Sequence, residues 1–146
     1  MRWPNLVNTL SGLNWAVVGA VATRMYMPAT RDLDILILPS EATAVADRLE
    51  SAGYRRQGSL TIGGSAWLAP DGTPLDVVEG REAWCPEALA EAAANLDELS
   101  TPVLTAPFLV LMKLYAGRVQ DVADVTRILG GLSDSDIDLV RAVIMR

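Results

Sequence analysis

Histidine is absent from this chain of 146 residues. That removes Ser-His-Asp and Cys-His catalysis, histidine general bases and the usual zinc ligand sets together. Chemistry must then rest on carboxylates, lysine and arginine, and the metal that suits them is a hard, oxygen-loving ion such as Mg²⁺. Cysteine is nearly absent: Cys85 stands alone, so an intrachain disulfide is impossible and nothing points to an oxidising compartment. Low-complexity tracts, tails of like charge and internal repeats are missing. No apolar run approaches the roughly 20 residues that span a bilayer. Basic charge is in deficit, with 12 Lys and Arg against 18 Asp and Glu and a net charge of -6, which argues against whole-surface attraction to nucleic acid. Arg24, Arg31, Arg55 and Arg56 nonetheless form a local basic group able to hold a phosphate. Arg2, the apolar stretch Leu13 to Val21 and Ala20-Val21-Ala22 loosely imitate a signal peptide. Asn8 and Asn14 interrupt it and its leading segment has a single basic side chain, so a cytoplasmic protein is expected.

Hydrophobic residues make up 51% of the chain, enough to bury a core without disulfides or structural zinc. A single domain over 1–146 is expected, with a sheet-containing part over 1–82 and a helical part over 86–146, because no linker composition divides the chain. Pro4 to Leu13 reads as a short helix, Trp15 to Val18 as a strand, and Ala20 to Met25 as the first turns of a helix ending before Pro28. Ile35 to Leu38 reads as a buried strand, followed by a helix from a Ser40 cap to about Ala52. The period then shortens towards two, giving strands at Arg55–Ile62, Ala66–Ala69 and Pro74–Val78, the last two joined by an Asp71-Gly72 turn. Helices are expected over Pro86–Leu99, Ala106–Ala116 and about Asp121–Leu129. A last helix should be capped by Ser133, with Asp136 in the capping-box position. The fold class is α+β, a mixed sheet flanked by helices with a helical C-terminal part.

The chemistry-bearing feature is Thr30-Arg31-Asp32-Leu33-Asp34, at the mouth of the apolar strand. On a strand, Asp32 and Asp34 leave the same face. Neighbouring carboxylates beside an apolar strand are costly unless a cation, an opposite charge or water compensates them. The pair is therefore either a metal site or a solvated strand entrance. Asp76, on the later strand, is either a third ligand or an acid facing water. Gly19-Ala20 after the first strand presents backbone N–H groups to an anion or is simply a tight turn. Lys113, in an apolar helix, either snorkels to water or reaches into a cleft. Phe108, Leu111, Met112 and Tyr115 read as core.

The order of these elements resembles the nucleotidyltransferase superfamily of DNA polymerase β type, and within it the minimal nucleotidyltransferases of the abortive-infection type II toxin group. Gly19-Ala20-Val21-Ala22-Thr23-Arg24 with Pro28 to Asp34 is similar to that group's glycine-to-carboxylate segment. Leu111 to Asp124, with Lys113, Arg118, Asp121 and Asp124, is similar to its lysine, arginine and paired-aspartate segment. The resemblance spans about Trp15 to Leu129. It implies transfer of a nucleoside monophosphate from a nucleoside triphosphate such as ATP to a hydroxyl on a tRNA or other RNA end, a protein or a small molecule, and a place as toxin or antitoxin in a cognate pair. It also implies that Asp32, Asp34 and Asp76 hold two Mg²⁺ ions, and that Gly19, Ala20, Arg24, Lys113 and Arg118 bind the nucleotide. Ala20 stands where the superfamily usually has a second Gly or a Ser, leaving backbone N–H groups alone for the phosphates. The alternative is a non-catalytic nucleotide-binding or partner-binding module on the same fold. Asp121 as a helix cap and Arg118 with Asp124 as an ion pair are the structural readings preferred for those residues.

Overall fold

The computed structural model describes residues 5–18, 33–116 and 119–145, with backbone alone for residues 115, 116, 119–122, 124 and 127. Among the described residues the elements run α1 (Leu6–Thr9), β1 (Trp15–Val18), β2 (Leu33–Ile37), a 3-10 turn (Pro39–Glu41), α2 (Ala42–Ser51), β3 (Arg55–Ser59), β4 (Gly64–Leu68) and β5 (Pro74–Glu79). The C-terminal half follows with α3 (Cys85–Ala92), α4 (Ala106–Ala116), α5 (Val119–Gly130) and α6 (Asp134–Ile144). The result is an α+β fold built on a mixed sheet of order β1-β2-β5-β4-β3. Within this sheet the β2–β5 pair is parallel, and β1–β2, β5–β4 and β4–β3 are antiparallel.

Alternation along the strands divides the core between two faces. Leu33, Ile35 and Ile37 of β2, with Trp67, Leu75 and Val77, pack against Leu6 and Leu10 from the first helix region and Val45 and Leu49 of α2. Ala16, Val18 and Leu36 leave the other face and meet Ala88 and Leu89 of α3, Phe108 and Val110 of α4, and Ile128 of α5. Two apolar faces each need a helical cover, which explains why the helices before β3 lie on one side and those after β5 on the other. Gly80, directly after β5, permits the closure of α3: a Cβ there would meet Cys85 Sγ at 2.6 Å and Leu36 Cδ1 at 2.8 Å. The outer edge of β1 is also occupied, since Val17 N–H donates to Pro102 O at 2.8 Å and Leu104 N–H to Val17 O at 3.1 Å. That leaves β3 as the exposed edge.

The structure corrects several expected boundaries. Ser40 does not cap α2; it lies inside the 3-10 turn, and Glu41 precedes α2 without a side-chain cap bond. The helix expected over Pro86–Leu99 stops at Ala92. Beyond it Asn95 Nδ2 donates to Val103 O at 2.8 Å, and Asp97 Oδ1 accepts from Leu99 N at 2.8 Å and Thr101 N at 3.0 Å. These side chains offer the backbone a turn in place of another helical turn. The first helix is short, Leu6–Thr9, and the strand at Arg55 ends at Ser59. The Ser133 cap is present: its Oγ accepts from Asp136 N at 3.2 Å and donates to Asp136 Oδ2 at 2.9 Å.

Candidate active site

Asp34 and Asp76 are brought together by strand register. In the parallel β2–β5 pair, Asp34 is the Cα partner of Asp76. Register partners on neighbouring strands project from the same face, about 5 Å apart. The alternation with Leu33, Ile35, Leu75 and Val77, all turned to the α1–α2 core, sends both acids to the face carrying Val18 and Leu36. A row runs across the sheet through Val18, Asp34, Asp76, Ala66 and Gly58. Both acids are half-buried, and each is engaged by neighbours within the fold.

Lys113 comes from α4, the layer that covers this same face. It is 8% exposed and is the only buried charged residue among the described residues, which corrects the snorkelling alternative. It too is engaged by neighbours. A buried ammonium needs compensation by acids or polar groups. Of the expected core stripe, Phe108 is buried and stacks on Trp84 with ring centroids 5.9 Å apart, and Leu111 and Met112 are half-buried. The side chain of Tyr115 lies outside the described residues, as do those of Asp121 and Asp124. Gly19, Ala20, Arg24, Arg31, Asp32 and Arg118 also lie outside them, as does the helix expected over Ala20 to Met25.

The donor set for a cation is a pair of carboxylates in register, with hard oxygen atoms and no imidazole or thiolate beside them. That chemistry suits Mg²⁺. No group of three acids, cysteines or histidines with metal-binding geometry occurs among the described residues. The third acid predicted for the site, Asp32, would stand two residues before Asp34 on the same parity. Cys85 offers no alternative chemistry: burial, then the charge of Glu82, pushes its thiol up to about 11, and its Sγ lies 3.7 Å from Glu82 Oε2. A thiol so placed is inert near neutral pH. A separate cavity of about 500 Å³, lined among others by Glu91, Asn95, Thr105, Ile128 and Leu139, includes none of Asp34, Asp76 or Lys113.

The convergence of Asp34 and Asp76 that the expected two-ion site requires is present in the β2–β5 pairing. The sequence did not show that the small residues Ala66 and Gly58 continue the row beside Asp76. No helix is long and apolar enough to cross a membrane among the described residues.

Comparison with known proteins gives a fold-level likeness. No protein-family model matches the chain, and no curated protein matches it in sequence. Among solved structures, the solution structure of the antibiotic-resistance factor ANT(2'')-Ia matches with a TM-score of 0.64 at 15% identity, over 96% of this chain and 89% of that one. The crystal structure of ANT(2'')-Ia in complex with adenylyl-2''-tobramycin matches with a TM-score of 0.64 at 16% identity, over 94% of this chain and 93% of that one. A Thermotoga maritima protein provisionally named a nucleotidyltransferase matches with a TM-score of 0.58 at 17% identity, over 87% and 89%. The chain thus has the fold of these nucleotidyltransferases over nearly its whole length.

Proposed function

We propose that this chain is a nucleotidyltransferase that moves a nucleoside monophosphate from a nucleoside triphosphate to a hydroxyl acceptor. The observation that carries the reading is the register of Asp34 with Asp76 on adjacent parallel strands, in a sheet whose fold matches nucleotidyltransferases. Asp34 and Asp76, with Asp32 two residues before Asp34, would hold two Mg²⁺ ions. Bound there, Mg²⁺ would neutralise triphosphate charge and lower the pKa of the acceptor hydroxyl. Asp76 accepts the proton leaving that hydroxyl. The hydroxyl oxygen bonds to the α-phosphorus, the bond from that phosphorus to the bridging oxygen breaks, and pyrophosphate departs. Lys113, with Arg24 and Arg118, contacts the phosphates, and the Gly19-Ala20 turn offers backbone N–H groups to them.

The acceptor class is open to RNA ends, proteins and small molecules; the structural neighbour ANT(2'')-Ia, seen with adenylyl-2''-tobramycin, supports a small-molecule hydroxyl as one member of that range. The resemblance to abortive-infection type II toxins adds a role as one component of a toxin-antitoxin pair. A second reading, a non-catalytic nucleotide-binding or partner-binding module, is favoured by Ala20, which lacks the hydroxyl usual at its position. The experiment that separates them is incubation of the protein with each α-labelled nucleoside triphosphate, Mg²⁺ and cell extract. Label on a discrete acceptor supports transfer; no label with any nucleotide supports the module.

A further inference from the structure

Arg55 and Arg56, neighbours on the exposed edge strand and expected in one basic group, leave opposite faces by strand alternation, and a β-bulge follows them at Gln57. In the β3–β4 pair Arg55 is the partner of Leu68 and Arg56 of Trp67, but the register then shifts, so that Gly58 meets Ala66 and Ser59 meets Ser65. Trp67 packs into the core beneath α1 and α2, and Arg56 therefore leaves that face, where its Nη2 donates to Ser59 Oγ at 3.2 Å. Leu68 and Ala66 lie on the opposite face, the one that carries Asp76, since Ala66 is the partner of Asp76. Arg55 shares that face. Both arginines are exposed, and among the described residues Arg55 makes no ion pair. The nearest acid of the β4–β5 turn, Asp71, is grouped with Tyr54 and Pro70 beside the first helix, on the far side of the sheet.

Arg55 is thus a cation at the edge of the acidic face, two strands across from Asp76 and two residues along. Strand spacing and rise put their Cα atoms about 12 Å apart. Between them on that face lie Ala66 and Leu68 of β4, the first the partner of Asp76 and the second the partner of Arg55. Arg55 also lies at the β3 end of the sheet, whereas the phosphate turn predicted at Gly19-Ala20 follows β1 at the other end. An acceptor would enter from the Arg55 side.

We propose that Arg55 is the acceptor-side anion contact, and that the acceptor carries a phosphate beside its reacting hydroxyl. This rests on the nucleotidyl-transfer reading and narrows its substrate. A guanidinium facing the entrance pairs with phosphate in a forked geometry and disfavours a polycationic acceptor such as an aminoglycoside. A nucleic-acid end and a free sugar phosphate both supply that phosphate, and one arginine suits a short footprint on an acidic protein.

The test is binding of a fluorescent four-nucleotide oligoribonucleotide, measured by anisotropy with Mg²⁺ and a non-hydrolysable triphosphate. Unlabelled ribose 5-phosphate and tobramycin serve as competitors. Wild type should bind the oligonucleotide or the sugar phosphate and ignore tobramycin. Arg55→Gln should weaken that binding about tenfold and reduce its salt dependence by about one counter-ion. Arg55→Lys should recover part of it, and Arg56→Gln, on the opposite face, should match wild type. Competition by tobramycin alone, absence of binding by both phosphate ligands, or equal effects of Arg55→Gln and Arg56→Gln would overturn the proposal while nucleoside triphosphate binding still stands. Loss of triphosphate binding in wild type itself would overturn the parent reading and this one with it.

Discussion

Replacing Gly64 with alanine tests whether the β4–β5 register that places Asp76 is as tight as the structure shows. Gly64 begins β4 with φ of +127°, and a Cβ there would lie 2.0 Å from Val77 O and 3.2 Å from Val78 Cα. Ordinary contact needs about 3.4 Å or more, and the obstacle is backbone held in the ladder to β5, so it cannot swing aside as a side-chain tip would. Alanine at such a φ costs roughly 1–3 kcal/mol by itself. Moving one strand away from its neighbour adds the weakening of ladder hydrogen bonds, at about 1 kcal/mol each. The sum is about 4 kcal/mol, which for a chain of this size lowers the melting temperature by about 10 °C. Gly58→Ala is the control: it lies on the same face and no atom lies within 4 Å of its Cβ. Thermal unfolding followed by circular dichroism would compare wild type with both variants. If Gly64→Ala melts within 2 °C of Gly58→Ala, or about that, the close approach of β4 to β5 is not a property of the folded protein, and the row through Asp76 loses its support.

Other expected outcomes follow from the same structure. Burial and the charge of Glu82 hold the Cys85 thiol at about 11 against an ordinary 9.0, and burial and Asp71 hold Tyr54 at about 12 against 10.0. Folded values above unfolded ones mean that this stability is complete below about pH 9 and lost as pH rises towards 12; urea midpoints should fall over that window, and fall less in Cys85→Ala. Phe108→Ala removes a fully buried ring stacked on Trp84 and should cost about 3–5 kcal/mol by urea denaturation; a loss below about 1 kcal/mol would contradict the packing of α4 on the sheet. Mg²⁺ at 100 times its dissociation constant should stabilise wild type by about 2.7 kcal/mol in a thermal-shift series. Asp34→Asn should abolish that gain while melting at or slightly above wild type without Mg²⁺, since one of two adjacent negative charges is gone.

Local pattern made much of the architecture legible. Trp15–Val18, Ala106–Ala116 and the Ser133 cap follow from apolar alternation, a Pro-flanked helical run and a Ser-x-x-Asp signal, all of which act within a few residues. The overrun of α3 past Ala92 has the opposite cause: alanine and glutamate favour helix, but Asn95 and Asp97 capture backbone groups that become available only once residues 101–103 fold back on them. Lys113 was ambiguous because its helix is apolar on nearly every side, so periodicity could not say which face would be covered. The acids were legible as candidates from parity alone, yet their meeting required β5 to insert between β2 and β4. The division of Arg55 from Arg56 follows from strand alternation, but which of the two shares the face of Asp76 depends on their pairing with Leu68 and Trp67, and the bulge at Gln57 that brings Gly58 opposite Ala66 is announced by no residue pattern in Arg55-Arg56-Gln57-Gly58-Ser59.

The central claim is that Asp34 and Asp76 act as one unit in nucleotidyl transfer. It is tested most directly by the initial rate of label transfer from an α-labelled nucleoside triphosphate to the acceptor found in extract, measured with Mg²⁺ for wild type, Asp34→Asn, Asp76→Asn and the double variant. The account predicts that each single variant loses at least about 10³-fold in rate and that the double variant is no slower than the worse single one, because groups acting together are non-additive. Transfer by Asp76→Asn within about tenfold of wild type, or strictly multiplicative losses in the double variant, would contradict it.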